Sequence, residues 1–156
     1  MPRYAQLRTL LARLESTYGV DAGPTDTDAI LVRDVQITVE ATDLDREIVR
    51  HTLGDLPTIR AAQRAIVRGA IELAGAGTAG VAPKYGPILR ACGMSETITG
   101  GQKVDYKPVS TNHDSITLYW FLDGFRHRVL GARGTGRFVI QAQEIPRFEF
   151  ELTGLY

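Results

Sequence analysis

The six residues Gly75-Ala76-Gly77-Thr78-Ala79-Gly80 match the spacing G-x-G-x-x-G and follow a segment that alternates like a strand. In a dinucleotide site such glycines let the backbone approach a pyrophosphate at a helix N-terminus. That chemistry needs a helix opening inside the motif, and an acidic residue about 20 positions on for the ribose. Here Val81-Ala82-Pro83 follows instead, and no alternation of helices and strands surrounds the motif. The stretch therefore reads as a flexible loop. His51, His113 and His127 have no second His or Cys at metal-ligand spacing. His113-Asp114-Ser115 holds the residue types of a hydrolytic triad, but adjacency in sequence is not triad geometry, and no G-x-S-x-G elbow is present. Cys92 falls near the C-terminus of an expected short helix. It lacks the N-terminal dipole that would activate a thiol and reads as a small buried residue. Glu149 and Glu151 share one strand face, where a carboxylate pair does acid–base work only with a raised pKa; without one it is a solvated sheet face. No catalytic, cofactor or metal site is expected.

The charges argue the same way. Among 156 residues, 18 are basic and 18 acidic, so the net charge is zero. A dedicated nucleic-acid binder needs a local excess of Lys and Arg for counterion release. Here Arg46 and Arg50 lie near Asp43, Asp45 and Glu47, and Arg126 and Arg128 lie near Asp123. Such mixing suits a soluble surface, or equally the complementary edges of a self-associating subunit. A single cysteine excludes an internal disulfide framework. No segment approaches the roughly 20 apolar residues of a membrane span. Arg13 and Glu15 interrupt the apolar residues near the start, so no secretory signal is expected.

The elements that carry these residues read mainly as strands. Leu7, Leu10, Leu11 and Leu14 form a helical stripe in residues 4–18. Residues 21–28 form a loop. Val35, Ile37 and Val39 alternate with polar residues as a strand, and residues 41–64 are a charged excursion with a helical turn at 45–53. Residues 65–74 make a second strand. Pro87 and Gly93 bracket a short helix. Residues 103–109 are a strand. Ile116, Leu118, Trp120 and Leu122 line one face of the next, with Thr117, Tyr119 and Phe121 on the other. Asp123-Gly124 marks a tight hairpin. Further alternation at Phe125, His127 and Val129, at Phe138, Ile140 and Ala142, and at Phe148, Phe150 and Leu152 is separated by turns at 133–136 and at Ile145-Pro146. The expected fold is a single domain over residues 1–156, mainly β with one or two short helices, an antiparallel sandwich or barrel. Strands apolar on both faces and uncovered sheet edges favour an oligomer.

Three stretches, in order, resemble the major tail tube protein family of long-tailed bacteriophages and prophages. The first is Leu14-Glu15-Ser16-Thr17-Tyr18-Gly19 with Ala29-Ile30-Leu31-Val32. The second runs from Gly75-Ala76-Gly77 through Pro83-Lys84-Tyr85-Gly86-Pro87 to Cys92-Gly93. The third comprises Tyr106-Lys107-Pro108-Val109-Ser110, Ser115-Ile116-Thr117-Leu118-Tyr119, Asp123-Gly124, Leu130-Gly131-Ala132-Arg133-Gly134-Thr135, Ile145-Pro146 and Phe150-Glu151-Leu152-Thr153-Gly154-Leu155-Tyr156. Together they span nearly the whole chain.

The resemblance implies a non-enzymatic structural virion protein of the phage tail, with a β-sandwich-like subunit of the tail tube type. Its sheets would join in sixfold or pseudo-sixfold rings, which stack into the tube for DNA ejection. It makes the opening segment extended, against the helical stripe. It implies assembly in the bacterial cytoplasm, with a tape-measure protein and a tail terminator as partners, no membrane, and DNA passing without specific binding. A lumen that DNA crosses without sticking should be acidic or neutral; Glu40, Glu72, Glu149 and Glu151, on polar strand faces, are the lumen candidates. The 41–64 excursion would resemble the loop that meets the neighbouring ring, with Asp45, Arg46, Glu47, Arg50 and Leu53 as contact candidates. Family members often continue past Thr153-Gly154-Leu155-Tyr156 into a second domain. Alternatives are a tail terminator or an Hcp-like ring protein, a nucleotide-dependent enzyme using the 75–80 glycines, or an adhesion module.

Overall fold

The computed structural model describes residues 8–45 and 58–156. Nine strands and one short α-helix make up the regular structure of these residues, with a single 3-10 turn at Asp26–Asp28. The strands are β1 (Arg8–Leu14), β2 (Ala29–Ile30), β3 (Arg33–Leu44), β4 (Ile59–Glu72), β5 (Met94–Thr99), β6 (Lys103–Pro108), β7 (Ile116–Leu122), β8 (Phe125–Val139) and β9 (Arg147–Leu155); α1 is Gly86–Ala91. All pairings are antiparallel. Seven strands form one sheet in the order β2-β1-β7-β8-β9-β4-β3, and β5 and β6 pair separately.

The long strand β8 is the joint of the sheet. Its first half pairs with β7 (Leu122↔Phe125 to Ile116↔Ala132) and its second half with β9 (Arg133↔Thr153 to Val139↔Arg147). Register shifts on both sides mark a bulge around Gly131, where an extra residue bends the strand. The β7–β8 hairpin turns at Asp123 (φ 45°) and Gly124 (φ 82°). Two consecutive left-handed residues are what a two-residue hairpin needs to match strand twist, and Asp-Gly supplies them at low cost. One core joins the halves: Leu10, Ile116 and Leu118 from one, Val67, Ile71, Phe148 and Leu152 from the other, with Ile88 and Leu89 of α1. Pro87 sits in the first turn of α1, where no N–H is needed.

Several expectations are corrected. Leu10, Leu11 and Leu14 lie in β1, not in a helix, because pairing with β7 and β2 overrides a local stripe. The excursion is shorter than its charges imply: β3 runs on to Leu44 and β4 begins at Ile59, paired from Asp43↔Arg60 onward. The helical turn expected at 45–53 lies outside the described residues except for Asp45. Arg133-Gly134-Thr135-Gly136 is strand interior rather than a turn. The alternation at Phe138, Ile140 and Ala142 stops at Val139. β5 carries no apolar alternation and is visible only through its pairing with β6. The second face of β7 is covered within the chain. Thr117 and Tyr119 are buried, with Thr117 Oγ1 donating to Glu15 and Tyr119 Oη donating to Asp21. Two apolar faces on β7 therefore no longer call for a partner subunit.

Candidate functional site

The four strands β8 (second half), β9, β4 and β3 form one continuous antiparallel surface. Alternation sends Phe148, Phe150, Leu152, Val67 and Ile71 inward. The opposite face then receives the residues between them. Across it, Thr135 lies opposite Glu151, Glu151 opposite Arg68, and Arg68 opposite Gln36; Arg137 lies opposite Glu149, and Arg64 opposite Glu40. All four sequence-predicted glutamates, Glu40, Glu72, Glu149 and Glu151, stand on this one face. They are far apart in sequence and come together because the registers place each on the same side of the pleat.

None of these carboxylates stands alone. Glu40 meets Arg64 at 2.7 Å, Glu151 meets Arg68 at 2.6 Å, and Glu72 meets Arg33 at 3.4 Å. Glu149 lies between Arg137 at 2.6 Å and Arg147 at 3.0 Å, and Arg147 also holds Glu144 at 2.9 Å. Hydrogen bonds from Arg147 and then Arg137 hold the Glu149 carboxyl below its ordinary range. The Arg68 hydrogen bond does the same for Glu151. Glu149 and Glu151 are therefore ionised at neutral pH, and an arginine stands within ion-pair distance of every glutamate on the face. Such exposed pairs add little to stability, because water competes for both partners. Their consequence is electrostatic: the face is charged in detail and near neutral in sum. Between its strands lies a depression of about 680 Å³, lined by Arg33, Arg68, Arg137, Arg147, Glu149 and Glu151 among others.

The remaining sequence candidates do not gather into a reaction centre. Asp114 and Ser115, which follow His113, turn to different partners: Asp114 accepts from Arg90 Nε at 2.8 Å, and Ser115 Oγ donates to Glu15 at 2.7 Å. His127 Nδ1 contacts Tyr156 Oη at 2.8 Å. Cys92 caps α1 against the core, where burial pushes its thiol up to about 12. The 75–80 glycines run as loop, and α1 opens only at Gly86. A Cβ on Gly80 would meet the Gly101 backbone nitrogen at 2.4 Å, so this glycine serves close packing on the β5–β6 turn. Among the described residues no group of three or more His, Cys, Asp or Glu side chains is placed to hold a metal ion. Of the inter-ring candidates, Asp45 is exposed at the end of β3, whereas Arg46, Glu47, Arg50 and Leu53 lie outside the described residues.

One group escaped sequence reasoning. The Glu15 carboxylate accepts four hydrogen bonds: Oε1 from the Gly131 N–H (2.7 Å) and Thr117 Oγ1 (2.9 Å), Oε2 from Ser115 Oγ (2.7 Å) and the Gly19 N–H (2.9 Å). The first and the third of the motif stretches quoted above thus meet at a single side chain. Beside it, the Arg133 guanidinium lies 4.8 Å over the Tyr18 ring. Their meeting makes these motif positions fold-building ones.

No protein-family model matches this chain, and neither does any curated protein sequence. The fold itself defines a mainly β, antiparallel protein with one short helix among the described residues.

Proposed function

We propose that the chain is a structural subunit of a phage-type tail tube, forming stacked rings around a channel for DNA, and not an enzyme. The observation that carries the reading is the four-stranded half-sheet with two open edges. β3 ends the sheet on one side. On the other, no strand among the described residues pairs with the second edge of Arg133–Val139 beyond the reach of β7, which stops at Ala132. Four antiparallel strands leave β8 and β3 running in opposite directions. A copy in the same orientation then offers β3 to the next copy's β8 as a correct antiparallel partner. Head-to-tail joins of this kind close into rings, and a closed barrel leaves no edge exposed. The compensated face suits the wall of such a channel, and the ordered family-like motifs support the same reading. Tape-measure and terminator proteins would be its partners in the tail.

Negative-stain electron microscopy of concentrated protein, and of tails from the phage that carries it, tests this. Rings or tubes are expected; their absence in both, with the protein missing from tails, sinks the reading.

A second expectation concerns the wall charge. Replacing Glu40, Glu149 and Glu151 together by Gln strips Arg64, Arg68 and Arg137 of their carboxylate partners and leaves Arg147 with Glu144 alone. The variant should be retained on duplex DNA resin at low salt and released as salt rises, since uncompensated arginines displace counterions. The wild type should flow through. Equal elution of the two would remove charge compensation from the argument.

A further inference from the structure

The registers place two apolar features at the same end of the four-stranded sheet, on opposite flanks. Val139 lies opposite Arg147, and Arg147 opposite Glu72. The end of β8, the start of β9 and the end of β4 are therefore level, and Arg33 of β3 pairs nearby with Ala70. On the β3 flank at this level is a groove of about 710 Å³, walled by Ile30, Leu31, Val32, Ile71, Val81 and Ala82. Leu31 there is 94% exposed. On the β8 flank, the turn into β9 presents Phe138, Ile140 and Ile145, and Ile140 is 72% exposed. Apolar side chains this open on both flanks mark contact surfaces rather than scattered surface residues.

The turn is also nearly free of charge, as an apolar groove requires. Residues 138–146 carry one charged side chain, Glu144, and Arg147 of the same chain holds it at 2.9 Å. The groove carries Arg33, Glu72 and Lys84, one positive charge in excess. The Lys84 ammonium there donates to the Thr27 carbonyl at 2.8 Å. The edge of β3 also changes at the groove. Its register shifts between Arg33 and Gln36, with Asp34 at φ 51°. A regular ladder with a neighbouring strand stops at such a bulge, and the neighbour's chain beyond it is free to turn into the groove.

From this we infer that the 138–146 turn of one copy seats in the Leu31 groove of the next, Ile140 against Leu31. This rests on the reading of the chain as a self-assembling subunit. The contact is heterologous, knob on one flank and hole on the other, so each copy uses both. It fixes the sliding register that edge pairing alone leaves free.

The test uses single-cysteine chains in a Cys92→Ala background. Leu31→Cys and Ile140→Cys proteins are assembled separately and as a mixture, then treated with a short bismaleimide. A cross-linked dimer is expected from the mixture, and none from either protein alone. Rings or tubes by electron microscopy without that cross-link overturn the contact while leaving the tube reading in place. Neither assembly nor cross-link overturns both. Ile140→Asp, at an exposed turn position that spares the fold, should raise the concentration for half-maximal assembly at least about tenfold, because a charge is placed in an apolar contact. An unchanged thermal midpoint checks the fold, and assembly at the wild-type concentration overturns the contact.

Discussion

Gly134→Val is expected to leave almost no folded protein. A Cβ built at Gly134 lies 1.9 Å from the Glu151 carbonyl oxygen and 2.8 Å from both the Glu151 carbonyl carbon and the Leu152 Cα. These are backbone atoms of β9, and β9 is held on its other side by β4 over Arg64↔Leu155 to Glu72↔Arg147. No side chain can rotate away to relieve the clash; the two strands must separate, and their ladder goes with them. Gly136 is hemmed in similarly, its Cβ falling 2.1 Å from Cζ of the fully buried Phe148. Overpacking that moves backbone belongs to the severe tail of point mutations, about 4 kcal/mol or more. Set against the roughly 5–15 kcal/mol of a whole domain, that consumes most of the stability. Thermal unfolding followed by circular dichroism should show no cooperative transition for Gly134→Val and a strongly lowered midpoint for Gly134→Ala. Gly75→Ala is the control: nothing lies within 4 Å of its Cβ. A wild-type midpoint for Gly134→Val would refute the β8–β9 packing described here.

The same glycines show why parts of this fold are hidden in the sequence. Arg133-Gly134-Thr135-Gly136 reads as a turn because glycine is the commonest punctuation mark of a chain. Nothing local distinguishes a glycine that bends the backbone from one that admits a neighbouring strand. The opening leucines mislead for a related reason. Leu10, Leu11 and Ala12 are all buried, so β1 shows no period of two and a helical spacing fits by default. The extensions of β3 and β4 toward residue 45 are hard to read for the opposite reason: they are exposed on both faces and pair through polar and charged residues. By contrast, β7 and the Asp123-Gly124 turn are legible, because there the demand on the residues is local. The candidate wall divides in the same way. Alternation alone assigns Glu40, Glu72, Glu149 and Glu151 to polar faces. That all four share one face, and that Arg64, Arg68, Arg137 and Arg147 neutralise them, depends on registers between strands remote in sequence.

Glu15→Ala should be among the most destabilising changes available outside the apolar core. Its carboxylate accepts from Thr117 Oγ1, which itself accepts from the Ala22 N–H, and it ties the bulge at Gly131 to the 15–19 turn. Truncation strands the hydroxyls of Ser115 and Thr117, both buried, and the Gly131 N–H. Each stranded donor costs about 1–3 kcal/mol, and partial entry of water brings the expected total to about 3–5 kcal/mol. Urea unfolding at neutral pH measures it; an unchanged midpoint would show that the 15–19 turn is dispensable. The pH dependence follows from the same geometry. Burial by itself pushes the Glu15 carboxyl up, but the hydrogen bonds from Gly131, Ser115, Gly19 and Thr117 together outweigh it and hold the group below its ordinary range. A folded-state pKa below the unfolded one means that the ionised group stabilises the fold fully above the unfolded value, near about 4.3. That contribution is lost as pH falls through the lower, folded value. Glu149 and Glu151 titrate in the same sense, so the informative quantity is the difference between proteins. Glu15→Gln keeps one acceptor oxygen and turns an NH₂ toward donors. It should fall between wild type and Glu15→Ala at neutral pH and converge on wild type in acid, where the native carboxyl is itself protonated. A gap between Glu15→Gln and wild type that stays constant down to strongly acidic pH would show that the carboxylate's charge contributes nothing at this junction.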